Sequence, residues 1–416
     1  MSVRRQLPVS SPLAFPTLAA ALWPTITRGA GGLLDAAAAL RETYETPRVA
    51  LTDSGTSALV MALRLTVGKG GTVAFPGYAC VDLAAAARFA RVRVRLYDID
   101  PRTLSPDLDS LAARVRRGAN AIALAPLYGF PADMNGVDEI ASRFGIPVIE
   151  DAAQAAGGTL HGRPLGGFGA LSVLSFGRGK GTTGGRGGAL LGYDVAFDDA
   201  FAREMTALGA PARGWSDLAA AGAQWVMGRP GLYGIPSAIP ALRLGEMVYH
   251  PAHAPRSLSA AAAALVTRAL RAAPAEVAIR RRNAAALAIA ADEGGDVQAI
   301  DVIPDGVSGM LRFPVRDTGS RLERPDLGIL RGYPRTLHEQ PELRHCLEAD
   351  EPPTPGAAEL RRTLFTLPTH GFVTRRDMEA MIEWLRVPMT VLAPVLAEAG
   401  ATGGLAPAGR HRSRRP

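Results

Sequence analysis

Residues 72–97 read TVAFPGYACVDLAAAARFARVRVRLY and hold a strand, a helix and a second strand in immediate succession. Thr72–Phe75 (TVAF) is an apolar run of strand length, Val81–Ala90 (VDLAAAARFA) has helical composition, and Val92–Tyr97 predicts the next strand. The rhythm extends in both directions. Ser57–Leu65 (SALVMALRL) predicts a helix before the unit. After it come a helix over Leu108–Val115, a strand over Ala121–Ala125, a helix over Gly136–Phe144 and a strand over Pro147–Ile149. Strands and helices alternating through short connections predict an α/β fold, with a mostly parallel sheet sandwiched by helices.

Beyond residue 190 the rhythm fails. Residues 205–250 are rich in Ala, Gly and Pro and show no period; a dimer contact and a reshaped acceptor site are both open for them. A long helix is predicted from Ser259 to about Ala291, carrying the run Arg-Arg-Arg-Asn at Arg280–Asn283. A strand over Met310–Pro314 and a closing helix over Arg376–Leu385 predict a smaller C-terminal α+β domain. The expected division is a large α/β domain with an N-terminal arm over 1–250, a small domain over 251–400 and a disordered basic tail over 401–416.

Composition bounds the chemistry. The 416 residues, 47% hydrophobic and 20% charged, suffice for two domains and exclude wholesale disorder. A net charge of +7 favours anionic ligands. Nucleic acid is not expected as a partner, because the arginines are scattered and aromatics, at 6%, seldom interleave with them. Two cysteines suit a reducing cytoplasm, and Pro12, Pro16 and Pro24 interrupt the apolar N-terminus, so neither a membrane span nor a secretory leader is expected. Of 46 basic residues only Lys69 and Lys180 are lysines, so chemistry that needs an amine has two side-chain candidates. Lys69, in Val67–Gly71, reads as an exposed turn.

Lys180 sits in the glycine-rich stretch Leu174–Gly188 (LSFGRGKGTTGGRGG), just after an apolar run. A Walker phosphate loop fails there, since Leu174 takes the place of its first glycine and Gly181 that of its hydroxyl. Gly179-Lys-Gly-Thr-Thr-Gly184 matches a dinucleotide fingerprint literally but is followed by a strand-like ALLG, not a helix. The third chemistry is a Schiff-base lysine for pyridoxal phosphate, which asks for a carboxylate on the pyridine nitrogen and a phosphate cup. Asp151, after the buried run Ile146–Ile149, supplies the carboxylate, and Gln154 lies three residues on. Gly55 and Thr56 open the helix SALVMALRL with N–H groups suited to phosphate, and Ser175 adds a hydroxyl. Singly, Asp151 reads as a helix cap, Gln154 as a surface residue and Gly55–Thr56 as an ordinary helix start. It is the combination that is specific.

At these residues the sequence resembles the DegT/StrS family of pyridoxal-phosphate-dependent nucleotide-sugar aminotransferases, of fold type I, over roughly residues 7–390. The landmarks are Gly55–Leu59, Leu127–Met134, the block Glu150-Asp-Ala-Ala-Gln154, Ser175-Phe-x-x-x-Lys180 closing in Gly187-Gly188, Gly332–His338 and Thr366–His370. The resemblance implies pyridoxal 5'-phosphate bound through Lys180, which would also shuttle the proton. It implies Asp151 on the pyridine nitrogen, Gln154 on the ring hydroxyl, and Gly55, Thr56 and Ser175 on the phosphate. It further implies a homodimer with shared active sites, an amino-acid donor (glutamate) and a keto-sugar nucleotide as acceptor. Burial and the nearby Arg178 or Arg186 are expected to keep Lys180 neutral for part of the cycle.

Four positions depart from the family's pattern. Cys80 stands where the family stacks an aromatic ring on the cofactor, which leaves Tyr78 as a substitute or something smaller to cover the ring face; Arg186 replaces an acidic residue; Gly181 replaces an asparagine. The family's asparagine-bearing stretch that reaches the neighbouring subunit has its equivalent in Met247–Pro251 followed by Arg256-Ser257. No metal-ligand spacing and no Gly-x-Ser-x-Gly elbow occurs. Three rivals stand beside the aminotransferase: a sugar dehydratase, disfavoured because related dehydratases carry histidine in place of the lysine; a non-catalytic sensor or scaffold on the same fold; and a nicotinamide dehydrogenase.

Overall fold

The computed structural model describes residues 4–11, 13–27, 31–239, 248–319 and 321–386. The basic tail expected over 401–416, and Met247, lie outside the described residues.

The chain opens with helices α1 (Phe15–Thr27) and α2 (Gly31–Tyr44). A large sheet follows, built from β1 (Arg48–Thr52), β2 (Thr72–Pro76), β3 (Arg93–Tyr97), β4 (Ala121–Leu124), β5 (Val148–Asp151), β8 (Leu171–Ser175) and β9 (Gly188–Gly192). The short β6 (Thr159–Leu160) and β7 (Arg163–Pro164) form a hairpin outside it. Between the strands run α3 (Gly55–Thr66), α4 (Asp82–Ala90), α5 (Leu108–Arg116) and α6 (Met134–Phe144). Strand order is β1-β9-β8-β5-β4-β2-β3. β2, β3, β4, β5 and β8 pair in parallel, whereas β9 runs against both β8 and β1.

This is the predicted α/β architecture, and the strands read as apolar runs for the reason expected. Every residue of β4 and β5 is buried, because helices cover both faces of the sheet. Since β1, β5 and β8 point the same way, their C-terminal ends share one edge of the sheet. Thr52, Asp151 and Ser175 therefore end their strands on one edge, where open α/β sheets take their ligands.

After the sheet come α7 (Asp198–Ala207), α8 (Trp215–Met227), α9 (Pro230–Ser237) and the long α10 (Ala260–Glu293). The stretch read as aperiodic thus holds two helices. Their period was illegible because so little of them is inside: Ala221 is the buried residue of α8. Helices α1 and α2 and strand β1 were likewise not foreseen.

The smaller body pairs β10 (Val297–Ala299), β12 (Phe313–Asp317), β14 (Leu364–Leu367) and β13 (Leu330–Arg331) antiparallel in that order; β11 (Gly306–Val307) instead joins β6. Helices α11 (Pro355–Thr363) and α12 (Arg375–Arg386) complete it. β12 begins at Phe313, not at Met310, because Met310 takes the left-handed φ of 47° and breaks the extended run. α10 belongs to both bodies. Its first turns put Ala262, Ala263 and Val266 into the core of the large sheet, and its last turns put Ala284, Leu287 and Ala290 against Phe313, Phe365 and Met381.

Candidate active site

Off the C-terminal edge of the large sheet lies a cavity of about 570 Å³, and Gly55, Thr56, Asp151, Gln154, Ser175 and Lys180 all line it. Residues spread over 125 positions of sequence meet there because the parallel strands end on one edge.

The first wall is the start of α3. Ser54 has extended backbone, and its hydroxyl accepts the Ser57 N–H at 3.0 Å, capping the helix. Asp53 accepts the Ser57 hydroxyl at 2.6 Å and steadies the turn. The first-turn N–H groups of Gly55 and Thr56 are of the kind a helix leaves without internal acceptors, at the positive end of its dipole. Gly55 is glycine for a steric reason: a Cβ there would stand 2.8 Å from the Cβ of Ser175. The absence of that carbon lets the helix start and the end of β8 close into one cradle.

The second wall is β5. Adjacent strand residues point to opposite faces, so Glu150 and Asp151 do different things. Glu150, fully buried, accepts the N–H groups of Gly166 (2.7 Å) and Phe168 (2.8 Å) and the Ser172 hydroxyl (3.2 Å), pinning the loop that feeds β8. Burial still pushes its carboxyl up to about 7. Asp151 faces the cavity, with one oxygen accepting the Ala153 N–H at 3.2 Å. Its carboxyl is pushed up to about 6 by burial, against the opposing pull of the Lys180 ammonium. A cation beside Asp151 therefore stabilises the carboxylate form, and a pyridinium N–H is a cation of the required shape.

Lys180 carries the amine. Burial alone would lower its pKa, but the Cys80 thiol and the negative charges of Asp82 and Asp151 beside it outweigh burial, and the net shift is upward. This corrects the expectation that burial and Arg178 or Arg186 would favour the neutral amine: carboxylates dominate its surroundings, so the free side chain is held as ammonium. Arg186 is exposed at the cavity wall. The next residue, Gly181, donates its N–H to the hydroxyl of Ser11 at 3.0 Å, so the N-terminal arm holds the lysine loop.

The third wall was only partly legible. Gln154 donates to the hydroxyl of Tyr333, whose own N–H donates to the hydroxyl of Tyr78 at 2.5 Å. Tyr78 is fully buried against Tyr333, ring centroids 5.3 Å apart, and is not among the cavity-lining residues. It does not replace the missing aromatic. Cys80 itself lines the cavity, with its thiol donating to Asp82 at 3.4 Å and pushed up to about 12 by burial and by the Asp82 charge. Tyr333 lay inside a recognised landmark, but nothing local in the sequence pairs it with Gln154.

The rim comes from elements the sequence left blank. Leu208–Ala210 and Ala212 after α7, and Asp217 in the first turn of α8, border the cavity. Arg256 and Ser257 line this cavity as well, and the Asp53 N–H donates to the Arg256 carbonyl at 2.9 Å. Among the described residues no group of His, Cys, Asp and Glu could hold a metal ion, and no helix is long and apolar enough to cross a membrane.

These residues fit pyridoxal phosphate by the chemistry of the donor set: an amine, a buried carboxylate facing it, and a cradle at a helix start that a Cβ would fill.

A profile of the DegT/DnrJ/EryC1/StrS aminotransferase family matches residues 35–386. The L-glutamine:2-deoxy-scyllo-inosose aminotransferase of Streptomyces lividus is 34% identical over 235 residues, 56% of this chain and 50% of that one. The UDP-2-acetamido-2-deoxy-3-oxo-D-glucuronate aminotransferase of Pseudomonas aeruginosa is 37% identical over 124 residues, 30% of this chain and 34% of that one. The chain thus spans half or less of the length of these curated relatives. In structure it is similar to the aminotransferase TlmJ of Streptoalloteichus hindustanus, with a TM-score of 0.73 at 23% identity, covering 92% of this chain and 98% of that one. That likeness shows the fold, fold type I.

Proposed function

Since the chain belongs to the DegT/DnrJ/EryC1/StrS aminotransferase family, a family of pyridoxal-phosphate-dependent enzymes, we propose that it transfers an amino group from an amino acid to the keto group of a sugar-like ring. The donor is glutamate or its amide, as the Streptomyces relative's name suggests, and the acceptor is a keto-sugar nucleotide, as the Pseudomonas relative's name suggests. The working form is a cytoplasmic homodimer. The observation that carries the reading is that Lys180, Asp151 and the Gly55–Ser175 cradle line one cavity.

Pyridoxal phosphate supplies an aldehyde that condenses with amines and a ring that stores an electron pair. The chain supplies the rest. Gly55, Thr56 and Ser175 would hold a phosphate dianion at the start of α3. Asp151 would keep a ring nitrogen protonated, the state in which such a ring acts as an electron sink. Gln154, fixed by Tyr333, meets the ring's oxygen. Lys180 is the one amine on the wall; as the free base it would take the proton from the donor's α-carbon and hold it for return. For that it must first lose the proton its carboxylate neighbours favour, and a cation placed on Asp151 weakens that hold. An amine in this position favours amino transfer over the dehydratase and non-catalytic readings.

The test is Lys180→Ala assayed with glutamate or glutamine against a panel of UDP-linked 3- and 4-keto sugars. Turnover is expected to fall at least about a thousandfold. Turnover at the wild-type rate in the variant would overturn the assignment.

A further inference from the structure

Two arginines that are not among the cavity-lining residues carry buried nitrogens with no hydrogen-bond partner among the described residues. Arg312 precedes β12, with its Nε and Nη2 buried and, among the described residues, without a hydrogen-bond partner. Arg280, the first residue of the Arg-Arg-Arg-Asn run in α10, is 3% exposed, and its Nε and Nη1 are equally unpartnered; Nη2 reaches the Ala156 carbonyl at 3.3 Å. The rest of that run is accounted for. Arg281 donates to the carbonyls of Ser308 (2.9 Å) and Gly157 (2.8 Å), and Asn283 donates to that of Thr369 (2.8 Å).

Arg280 adjoins the lysine loop, and Arg312 follows a residue that does. A Cβ on Gly181, the residue after Lys180, would stand 3.1 Å from Arg280 Nη1 and 3.3 Å from the side chain of Leu311, the neighbour of Arg312. The Leu311 N–H donates to the Tyr128 carbonyl at 2.9 Å, beside the cavity-lining Leu127. Burial lowers the pKa of Arg312 against the phenols Tyr128, Tyr333, Tyr233 and Tyr78, whereas the charge of Arg280 meets Glu276, one turn earlier in α10. Tyr333 is the residue that holds Gln154. A buried polar atom without a partner needs a reason. Arg281 leaves no buried nitrogen unmatched among the described residues, whereas Arg280 and Arg312 leave two each.

We propose that Arg312 and Arg280 form an oxyanion-binding subsite of the active site, receiving a carboxylate of the amino donor or a phosphate of the acceptor. The proposal rests on the aminotransferase reading for its substrates. The planar forks of the two guanidinia suit the two oxygens of a carboxylate or phosphate, and the tyrosine rings exclude water. The subsite orients the ligand and takes no part in proton transfer. Its residues are binding residues, not bases.

The experiment is calorimetric titration of the cofactor-loaded protein with two dead-end probes, glutarate for the donor's carboxylates and UDP for the acceptor's phosphates. It is run on the wild type, Arg312→Gln and Arg312→Lys. Wild-type protein is expected to bind at least one probe, and Arg312→Gln to weaken that probe by about tenfold or more. Arg312→Lys, which keeps the charge but loses the fork, is expected to fall between the two. Weakening confined to glutarate assigns the subsite to the donor, and weakening confined to UDP assigns it to the acceptor. Equal affinities in all three proteins, or a wild type that binds neither probe, would overturn the proposal. Melting temperature and the borohydride-trapped adduct on Lys180 are measured alongside. A wild type without the adduct breaks the aminotransferase reading, while a normal adduct with unchanged probe affinities breaks only the subsite. Should Arg312→Gln fail to fold, Arg312→Lys carries the test.

Discussion

Helices α3 and α8 border the same cavity and are built from similar small apolar residues, yet they sit in the molecule in opposite ways. In α3 seven consecutive residues, Ser57–Leu63, are buried between the sheet and α4. In α8 Ala221 is buried, while Trp215 and Val226 are exposed, and the neighbouring α9 exposes Leu232 and Ile235. One helix is cemented into the core and holds its N-terminus fixed against β8. The other lies on the surface of α1 and α10 and lends the rim one turn. Groups that hold a cofactor need fixed positions, and they stand on the cemented side: Gly55, Thr56, Asp151, Ser175. The rim, where an acceptor enters, is free to vary without disturbing them.

If the cemented wall carries the chemistry, damage there should cost the most. Asp151→Asn is expected to lower turnover by about a hundredfold or more, because a neutral amide no longer holds the ring nitrogen protonated. Steady-state rates check this, and a loss of less than a few-fold would move the electron-sink role elsewhere. Gly55→Val comes next. Its side chain would run into Ser175 and wedge α3 from β8, so cofactor affinity should drop by about tenfold or more, read by fluorescence titration of the stripped protein. A variant that binds as tightly as wild type would show that the close approach at Gly55 is not what shapes the cradle.

The pH dependence of stability probes what ties the N-terminal arm to the small body. His370 is buried, with its ring meeting the Leu7 carbonyl at 2.9 Å, and burial lowers its pKa from 6.5 to about 4. The folded protein thus binds this proton less readily than the unfolded chain. Its contribution to stability is complete above pH 6.5, declines as pH falls from 6.5 to 4, and levels off below. Denaturant midpoints over that range should fall in the wild type and fall less steeply in His370→Gln; identical slopes would show that another group is responsible. The smallest effect is expected on the surface side. Leu232→Ser in α9 should change stability by no more than about 0.5 kcal/mol in the monomer and leave the cofactor-bound spectrum untouched. If turnover collapses as well, α9 belongs to the working site and the contrast between the two helices is wrong.

The same contrast explains what the sequence disclosed. The strand–helix alternation was legible because each strand is buried on both faces and each flanking helix on one. The residues lining the cradle were legible because each sits at the end of such an element, where its local motif is self-contained. Tyr333 as the partner of Gln154, Ser11 as the tie to Gly181, and the cluster around Arg312 were not, since each joins segments more than a hundred residues apart. Met310 misled for a different reason: its composition is that of a strand, but its left-handed φ comes from tertiary contacts with the Tyr128 loop. The charge around Lys180 was misjudged in the same way. Arg178 and Arg186 are close in sequence, but Asp82 and Asp151 are the neighbours whose charge counts.

The most direct test of the account uses the scarcity of lysine. Purified protein is incubated with pyridoxal phosphate, reduced with borohydride and digested, and the modified peptide is identified by mass. The account predicts a pyridoxyl group on Lys180 and none on Lys69. Protein that stays unlabelled, or is labelled only at Lys69, would contradict it.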